Sequence, residues 1–313
     1  MRIAGTSYTD SLVGQLNFLT AQQFQLQTQI STGQRIQKPE DDPAGMSVAL
    51  RLQAETNRVN QYGNNLASLQ NTANNAIGAM QQIKTVSDRA GEIATLADDH
   101  TKTPAELQTY AREVNQMIQQ TVQLANSKDA GHYLFSGTKN DTPPFTAVTD
   151  SDGNVTAVSY QGNTNLSQKE IAENTTVTID APGANTSGSG PRGLLADSRY
   201  GADFFSHLIS LAKNLASGDK TAIAQVDQPS LAKDEDNLIY HISNNAVTQT
   251  RLDSAAESIS TRQQALQQSL TKVAGVDVTK AITDLSQAQS TYQAALASSS
   301  VLLQMQQSVL TYL

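Results

Sequence analysis

Gly188-Ser-Gly-Pro-Arg-Gly193 matches G-x-G-x-x-G, the pattern in which backbone amides cradle a pyrophosphate. That chemistry needs a strand before the first glycine and a helix N-terminus facing the phosphate. Here a Ser/Asn-rich run leads in and Pro191 interrupts, so a surface loop is expected. Asp150, Asp152 and Asn154 stand at the odd positions of a calcium loop. Its glycine, however, is at 153 instead of the sixth position, Val155, and its twelfth position is Gln161 instead of Glu. A hairpin turn is the reading. His100, His132, His207 and His241 are far apart in the chain and form no H-E-x-x-H pair, which makes them surface or interface residues. Glu40-Asp41-Asp42 offers paired acids, but acids directly before a helix more often cap it and complement its dipole. The sequons at Asn140, Asn154, Asn174 and Asn185 lie in a stretch expected to be surface, where Asn and Thr are common. With no nucleophile, base and orienting group assembled, the residues predict neither an enzyme nor a cofactor or metal site.

Composition points the same way. The chain has 313 residues, long enough for two or three domains, yet only 38% are hydrophobic and 5% aromatic. That is thin for one large core and normal for long helices packed in pairs. It has no cysteine, which excludes disulfides and thiolate metal sites. A net charge of −8 with scattered Lys and Arg argues against nucleic-acid binding. No charged leader precedes an apolar run and no window reaches the length of a membrane span, so the chain is either cytosolic or exported by a route that reads something else.

Helices dominate the pattern. Asp42 before Pro43 reads as a cap with proline in the first helical position. From there Tyr62, Leu66, Leu69, Ala73, Ala76, Met80 and Ile83 recur by threes and fours; unbroken to Ala97 the helix would be about 80 Å long. Thr103-Pro-Ala-Glu106 is a capping box. It opens a helix through Leu107, Tyr110, Val114, Met117 and Leu124, which should fold back as an antiparallel hairpin and end at Gly131. Then the character changes. Tyr133 to Phe135, Phe145 to Val148, Val155 to Tyr160 and Thr175 to Ile179 read as strands, and a Gly/Ser/Asn/Pro-rich loop covers Ala181 to Gly193. Helix returns from Phe204 to Gly218, and again from Pro229 to Gly275.

Both ends carry heptad seams. Leu12, Leu16, Leu19, Leu26 and Ile30 form one, with Gln23 in its polar place. Ile282, Leu285, Tyr292, Leu296, Leu303, Leu310 and Leu313 form the other, beside a file of Ala281, Ala288, Ala295, Leu302 and Val309. The two ends can pair. A seam this narrow needs neighbours on more than one side, so the expectation is that both ends are loose in the free chain and order when copies assemble. A two-helix coiled coil stable within one chain is the alternative. The fold class predicted is mainly α with a small β-rich insertion, organised as a long helical rod with the N- and C-terminal helices paired. Terminal assembly helices take residues 1–43 and 275–313, the rod takes 44–138 and 200–274, and the insertion takes 139–199.

Ile30-Ser-Thr-Gly-Gln-Arg-Ile36 followed by Asp41-Asp-Pro-Ala-Gly45 resembles the N-terminal signature of the bacterial flagellin family, at Gly33, Arg35, Asp41, Asp42, Pro43 and Gly45. Asp284 to Leu313 resembles the C-terminal helix of that family, and Asn245 to Leu252, less closely, its C-terminal rod segment. Met1-Arg-Ile3, Gly131-His-Tyr-Leu-Phe-Ser-Gly137, Pro144-Phe145 and Val158-Ser-Tyr-Gln-Gly162 look more like the members that join hook to filament than those that build the filament. The resemblance implies a structural, secreted protein. It would be exported unfolded through the flagellar type III channel, with an export chaperone on its C-terminal helix, and would form a ring of identical subunits between the first hook-associated protein and flagellin. Filament flagellin itself, or a flagellin-like protein with a binding or enzymatic insertion, are the alternatives.

Overall fold

The computed structural model describes residues 2–99, 101–178 and 181–311, with side chains described for 10–99, 101–178, 181–301, 304 and 305. It divides into two compact units, residues 60–260 and residues 1–59 with 261–313.

The 60–260 unit is organised by helices whose buried stripes follow the three-four rhythm. In α2 (Pro43–Ala97), Leu66, Leu69, Ala73, Ala76, Met80, Ile83, Ala90, Ile93 and Ala97 are buried. The interspersed alanines let neighbouring elements approach this face closely. At the start of α3 (Pro104–Ala125) the Thr103 hydroxyl accepts from the Glu106 amide, and the Glu106 carboxylate accepts from the Thr103 amide at 2.8 Å. The capping box is complete. Leu107, Val114 and Ile118 of α3 enter the same core as the buried face of α2. Arg89 of α2 donates to both oxygens of Glu113 at 2.7 and 3.2 Å, closing the expected hairpin.

Among the described residues nine short strands follow α3: β1 (Lys128–Asp129), β2 (His132–Tyr133), β3 (Phe145–Thr149), β4 (Val155–Tyr160), β5 (Lys169–Ala172), β6 (Thr175–Val177), β7 (Ala184–Asn185), β8 (Ala196–Asp197) and β9 (Ala202–Asp203). They form three two-stranded hairpins and a three-stranded β7-β8-β9 sheet. Helix α3 stops at Ala125 instead of running to Gly131, because Ala130 and Gly131, both at positive φ, make the two-residue turn between β1 and β2. The expected strand at Tyr133 to Phe135 starts at His132 and ends after Tyr133. The hairpin turn expected at Asp150 is present: its carboxylate accepts from the amides of Asp152 and Asn154 at 2.9 and 2.8 Å. Phe145 of β3 stacks at 5.2 Å from Phe205 and 5.1 Å from Tyr160, so this hairpin shares the helical core. Ile171 of β5 and Val177 of β6 cover Leu66, Leu69 and Leu252; Ile179 lies outside the described residues.

Helix α4 (Phe204–Ser217) is capped by Asp203, buries Phe204, Phe205, Leu208, Leu211 and Leu215, and ends at the left-handed Gly218. The next helical run begins earlier than Pro229. Asp219 caps α5 (Lys220–Ala222), a π turn spans Ile223–Asp227, and α6 (Gln228–Ala274) continues from it. A proline removes one i→i−4 bond, and a wider turn just upstream accommodates the gap without ending the helix.

Two expected surface residues are buried. His241 on α6 approaches the Gly193 carbonyl at 3.1 Å, one turn from Asn237, whose amide donates to the Gly193 and Leu194 carbonyls. Asn185, the fourth sequon, donates to the Ser189 and Pro191 carbonyls. The glycine-rich loop has too few amide partners of its own, so side chains satisfy its carbonyls. His207 is half-buried and pairs with Asp234 at 2.7 Å, His132 is exposed, and His100 lies outside the described residues.

Burial pushes the His241 pKa down to about 4 from 6.5. The folded state therefore holds this ring neutral, and the stability it confers is complete above pH 6.5 and is lost as pH falls toward 4. The expected loss is about 3 kcal/mol. Denaturant melts of the wild type and of His241→Gln between pH 7 and 4 check this: the variant should show a shallower acid limb.

Candidate assembly surface at the terminal helices

The 1–59 and 261–313 unit contains α1 (Arg2–Thr32), the first part of α2, the end of α6, and α7 (Val278–Thr311). No charged residue occurs from Ser11 to Gln34 or from Leu285 to Leu313. Their Ser and Thr hydroxyls turn inward along the helix: Thr20, Thr28 and Thr32 in α1 and Thr283, Ser290, Thr291 and Ser299 in α7 donate to carbonyls four residues back. Polar side chains satisfied this way present little unpaired polarity outward, so a Ser/Thr-rich helix can still be covered.

Helices α1 and α7 pack together. Leu19 is buried and Leu12, Leu16, Leu26 and Ile30 are half-buried. On α7 the small-residue file does the inner packing: Ala281 and Ala288 are buried, Ala295, Leu285 and Tyr292 are half-buried. Gln23, the polar residue in the α1 seam, donates to the Ala288 carbonyl at 3.1 Å. Ile282 and Leu296 are not in this packing; they are 52% and 43% exposed. The side chains of Leu302, Leu303, Val309 and Leu310, and all of Leu313, lie outside the described residues.

The outer side, rich in Gln, Ser and Thr, also carries large apolar side chains. Phe18 and Phe24 of α1 are 68% and 65% exposed, with Val13 on the same helix and Val278, Val301 and Met305 on α7 also exposed. Several exposed large apolar side chains on a helix pair with few charges point to an interaction surface. Heptad counting passes over Phe18 and Phe24, which lie off the α1 seam. Their signal in the sequence is type alone, an aromatic ring in a Gln-rich helix.

The signature residues collect where α1 ends and α6 turns into α7. Gly33 takes φ +70 and releases the chain from α1. Beyond it the backbone pairs with the α6–α7 turn: the Arg35 amide donates to Ala274 O at 2.7 Å and the Val276 amide to Gly33 O at 3.0 Å, around a Gln34–Gly275 bridge. The Arg35 guanidinium donates to Val273 O at 3.0 Å and to Asp42 at 3.1 Å. Asp42 also accepts from the Gly45 amide at 2.8 Å, capping α2 as expected, with Pro43 in the first helical position. These amide and guanidinium bonds hold its carboxyl below the ordinary range. Asp41 is likewise lowered by the amides of Gln37 and Lys38, which it ties into a turn. Any Cβ at Gly45 would sit 2.5 Å from the Asp42 carboxylate and 2.6 Å from Ile36, so only glycine lets both close in. Ile36 is buried against Ala49 and Ala274. The acids therefore hold structure, and among the described residues no group of three His, Asp or Glu is placed to hold a metal.

Comparison with known proteins follows this anatomy. Residues 13–140 match the bacterial flagellin N-terminal helical region, and residues 245–313 match the bacterial flagellin C-terminal helical region. Flagellar hook-associated protein 3 of Salmonella typhimurium is 27% identical over 150 residues, 48% of this chain and 47% of that protein. The Escherichia coli protein of the same name is 31% identical over 120 residues, covering 37% of each chain. Flagellin of Clostridium tyrobutyricum is 25% identical over 111 residues, 35% of this chain and 29% of that one. The aligned part thus spans about half or less of each of these relatives. Among solved structures, one from Vibrio parahaemolyticus aligns with TM-score 0.63 at 18% identity, covering 75% of this chain and 100% of that one. FlgL of Xanthomonas campestris aligns with TM-score 0.57 at 17% identity, covering 70% and 99%. These likenesses share the mainly helical fold with its small sheets. Two helical-region matches that together span more than half the sequence, flanking β3 to β9, make the chain a member of the bacterial flagellin family.

Proposed function

We propose that this protein is a structural adaptor of the bacterial flagellum, joining the hook to the filament. The observation that carries the proposal is the set of large apolar side chains on the outer side of the terminal helix pair, with Phe18, Phe24, Ile282 and Leu296 exposed on helices that have few charges. Such a surface gains its stabilisation only when covered, and a ring of identical subunits covers it. The segments 1–43 and 275–313 are then the assembly elements, residues 44–138 and 200–274 the rod that meets neighbouring subunits, and 139–199 the outward region. The first hook-associated protein is the partner below and flagellin the partner above, by likeness to the hook-associated relatives. On the same reading the protein works outside the cell, at the hook–filament junction, after type III export with a chaperone on its C-terminal helix. Its role is mechanical and involves no catalysis.

Filament flagellin is the second reading, favoured by the Clostridium relative. Seeded growth separates the two. The purified protein, added to hook ends bearing the first hook-associated protein, should bind to saturation, stop, and then accept flagellin. Continued filament growth from this protein alone would contradict the adaptor role.

A further inference from the structure

One of the two files by which α7 packs against α1 does not specify register. On α7 the inner file is Ala281, Ala288 and Ala295, the same residue every seven positions. Sliding α7 by one heptad against α1 replaces alanine with alanine under Gln23, and the Gln23–Ala288 bond can re-form to any helix carbonyl brought to that place. The second α7 file, Leu285, Tyr292 and Ser299, changes size at each heptad and opposes a slip, but the alanine file does not. A constraint beside the helix ends would complete the choice.

We infer that the signature loop is the register-setting element of the terminal pair, with Arg35 as its positioning residue. The inference rests on the proposal that this pair is the assembly element. The Gln34–Gly275 bridge and the two backbone bonds around it fix one point on each strand of the chain, directly next to the ends of α1 and α7. Residue numbers at that bridge sum to 309 and those of the Gln23–Ala288 bond sum to 311. Two antiparallel helices of equal rise keep this sum nearly constant, so the seam continues the register set at the loop. A heptad slip would change the sum by seven and could not coexist with the bridge. The Arg35 side chain joins the two elements beside the bridge, reaching Val273 O on α6 and Asp42 at the start of α2. Register matters to assembly because it decides which outer residues of α1 and α7 line up into one ridge. A slipped pair would offer Phe18 and Phe24 beside the wrong α7 residues.

The chain has no cysteine, so engineered thiols report alone. Continuing the observed register, Leu16 faces Ala295, and one heptad of slip places it on Ala288. The test oxidises dilute monomeric full-length protein carrying Leu16→Cys with either Ala295→Cys or Ala288→Cys, in the wild-type background and with Arg35→Ala, Arg35→Lys, or Arg35→Ala with Gly275→Ala. In the wild-type background the 16–295 crosslink should dominate at least tenfold. Arg35→Ala should raise the 16–288 crosslink several-fold, the double variant should raise it further, and Arg35→Lys should restore part of the preference. If these variants lower the 16–295 crosslink without raising 16–288, Arg35 only stabilises the pair and the inference is overturned. A wild-type background that crosslinks both pairs equally overturns it too. Because the readout is made on monomers, its failure is separate from failure of the adaptor reading, which is decided by growth on hook ends.

Discussion

Replacing Phe18 and Phe24 with glutamate is expected to abolish assembly while leaving the 60–260 unit folded. Both rings are about two-thirds exposed on α1 and lie off the file that packs against α7, so the monomer loses little when they change. In an assembled ring each buried ring contributes ~1.5–3 kcal/mol. Removing both from each subunit weakens its attachment by roughly 10²- to 10⁴-fold, before the cost of burying two carboxylates against apolar neighbours. Binding to hook ends, measured by quantitative labelling, should fall below detection. Thermal melting of the soluble variant should stay within about 1 °C of the wild type. The paired control is Gln22→Glu and Gln25→Glu, which adds the same charge to α1 at exposed sites without removing an apolar side chain. It should retain more binding than the phenylalanine pair.

Leu208→Ala is expected to be the most damaging single change to the monomer. Leu208 is fully buried on α4, in the core that Ile83 and Ile93 of α2, Ile118 of α3 and Phe205 also build. Truncation there removes apolar burial and leaves a cavity between helices that are held by several other contacts and cannot collapse into it. The expected loss is 2–5 kcal/mol, or roughly 10 °C in Tm for a unit of this size. Calorimetry on the purified variant measures it. A loss below about 1 kcal/mol would mean that α4 can shift to fill the space.

The helices were legible because their signals are local. Three-four files, Thr103 with Glu106, Asp42 with Pro43 and the left-handed Gly218 each act within a turn or two, and the structure keeps them all. The strands were partly legible: β3 and β4 alternate, but β5 is four residues of mixed character that pair only because β6 and a helical face lie beside it. Pro229 misled because a proline near the start of a helix and one just after a π turn look alike in sequence. His241 and Asn185 misled for a different reason. Their task is to satisfy carbonyls of a loop about fifty residues away from His241 and a few residues beyond Asn185, a demand that exists only once the loop has folded. At the termini, spacing found Leu19 and the alanine file but could not divide apolar residues between an inner and an outer side. Ile282 and Leu296 belong to a counted seam yet stand exposed, while Ala281 and Ala288 do the inner packing. The arginine of the signature could be named from its likeness to a family, but its grip on Val273, 238 residues along the chain, could not.

The account depends on terminal helices that are incomplete in one copy and completed by others. Amide hydrogen exchange, read peptide by peptide on the dilute monomer and again on protein bound to hook ends, tests this most directly. Amides of α1 and α7, paired but covered on one side only, are expected to exchange faster than those of α4 in the monomer and to gain protection once bound. Equal, slow exchange of α1, α7 and α4 in the isolated monomer would contradict it.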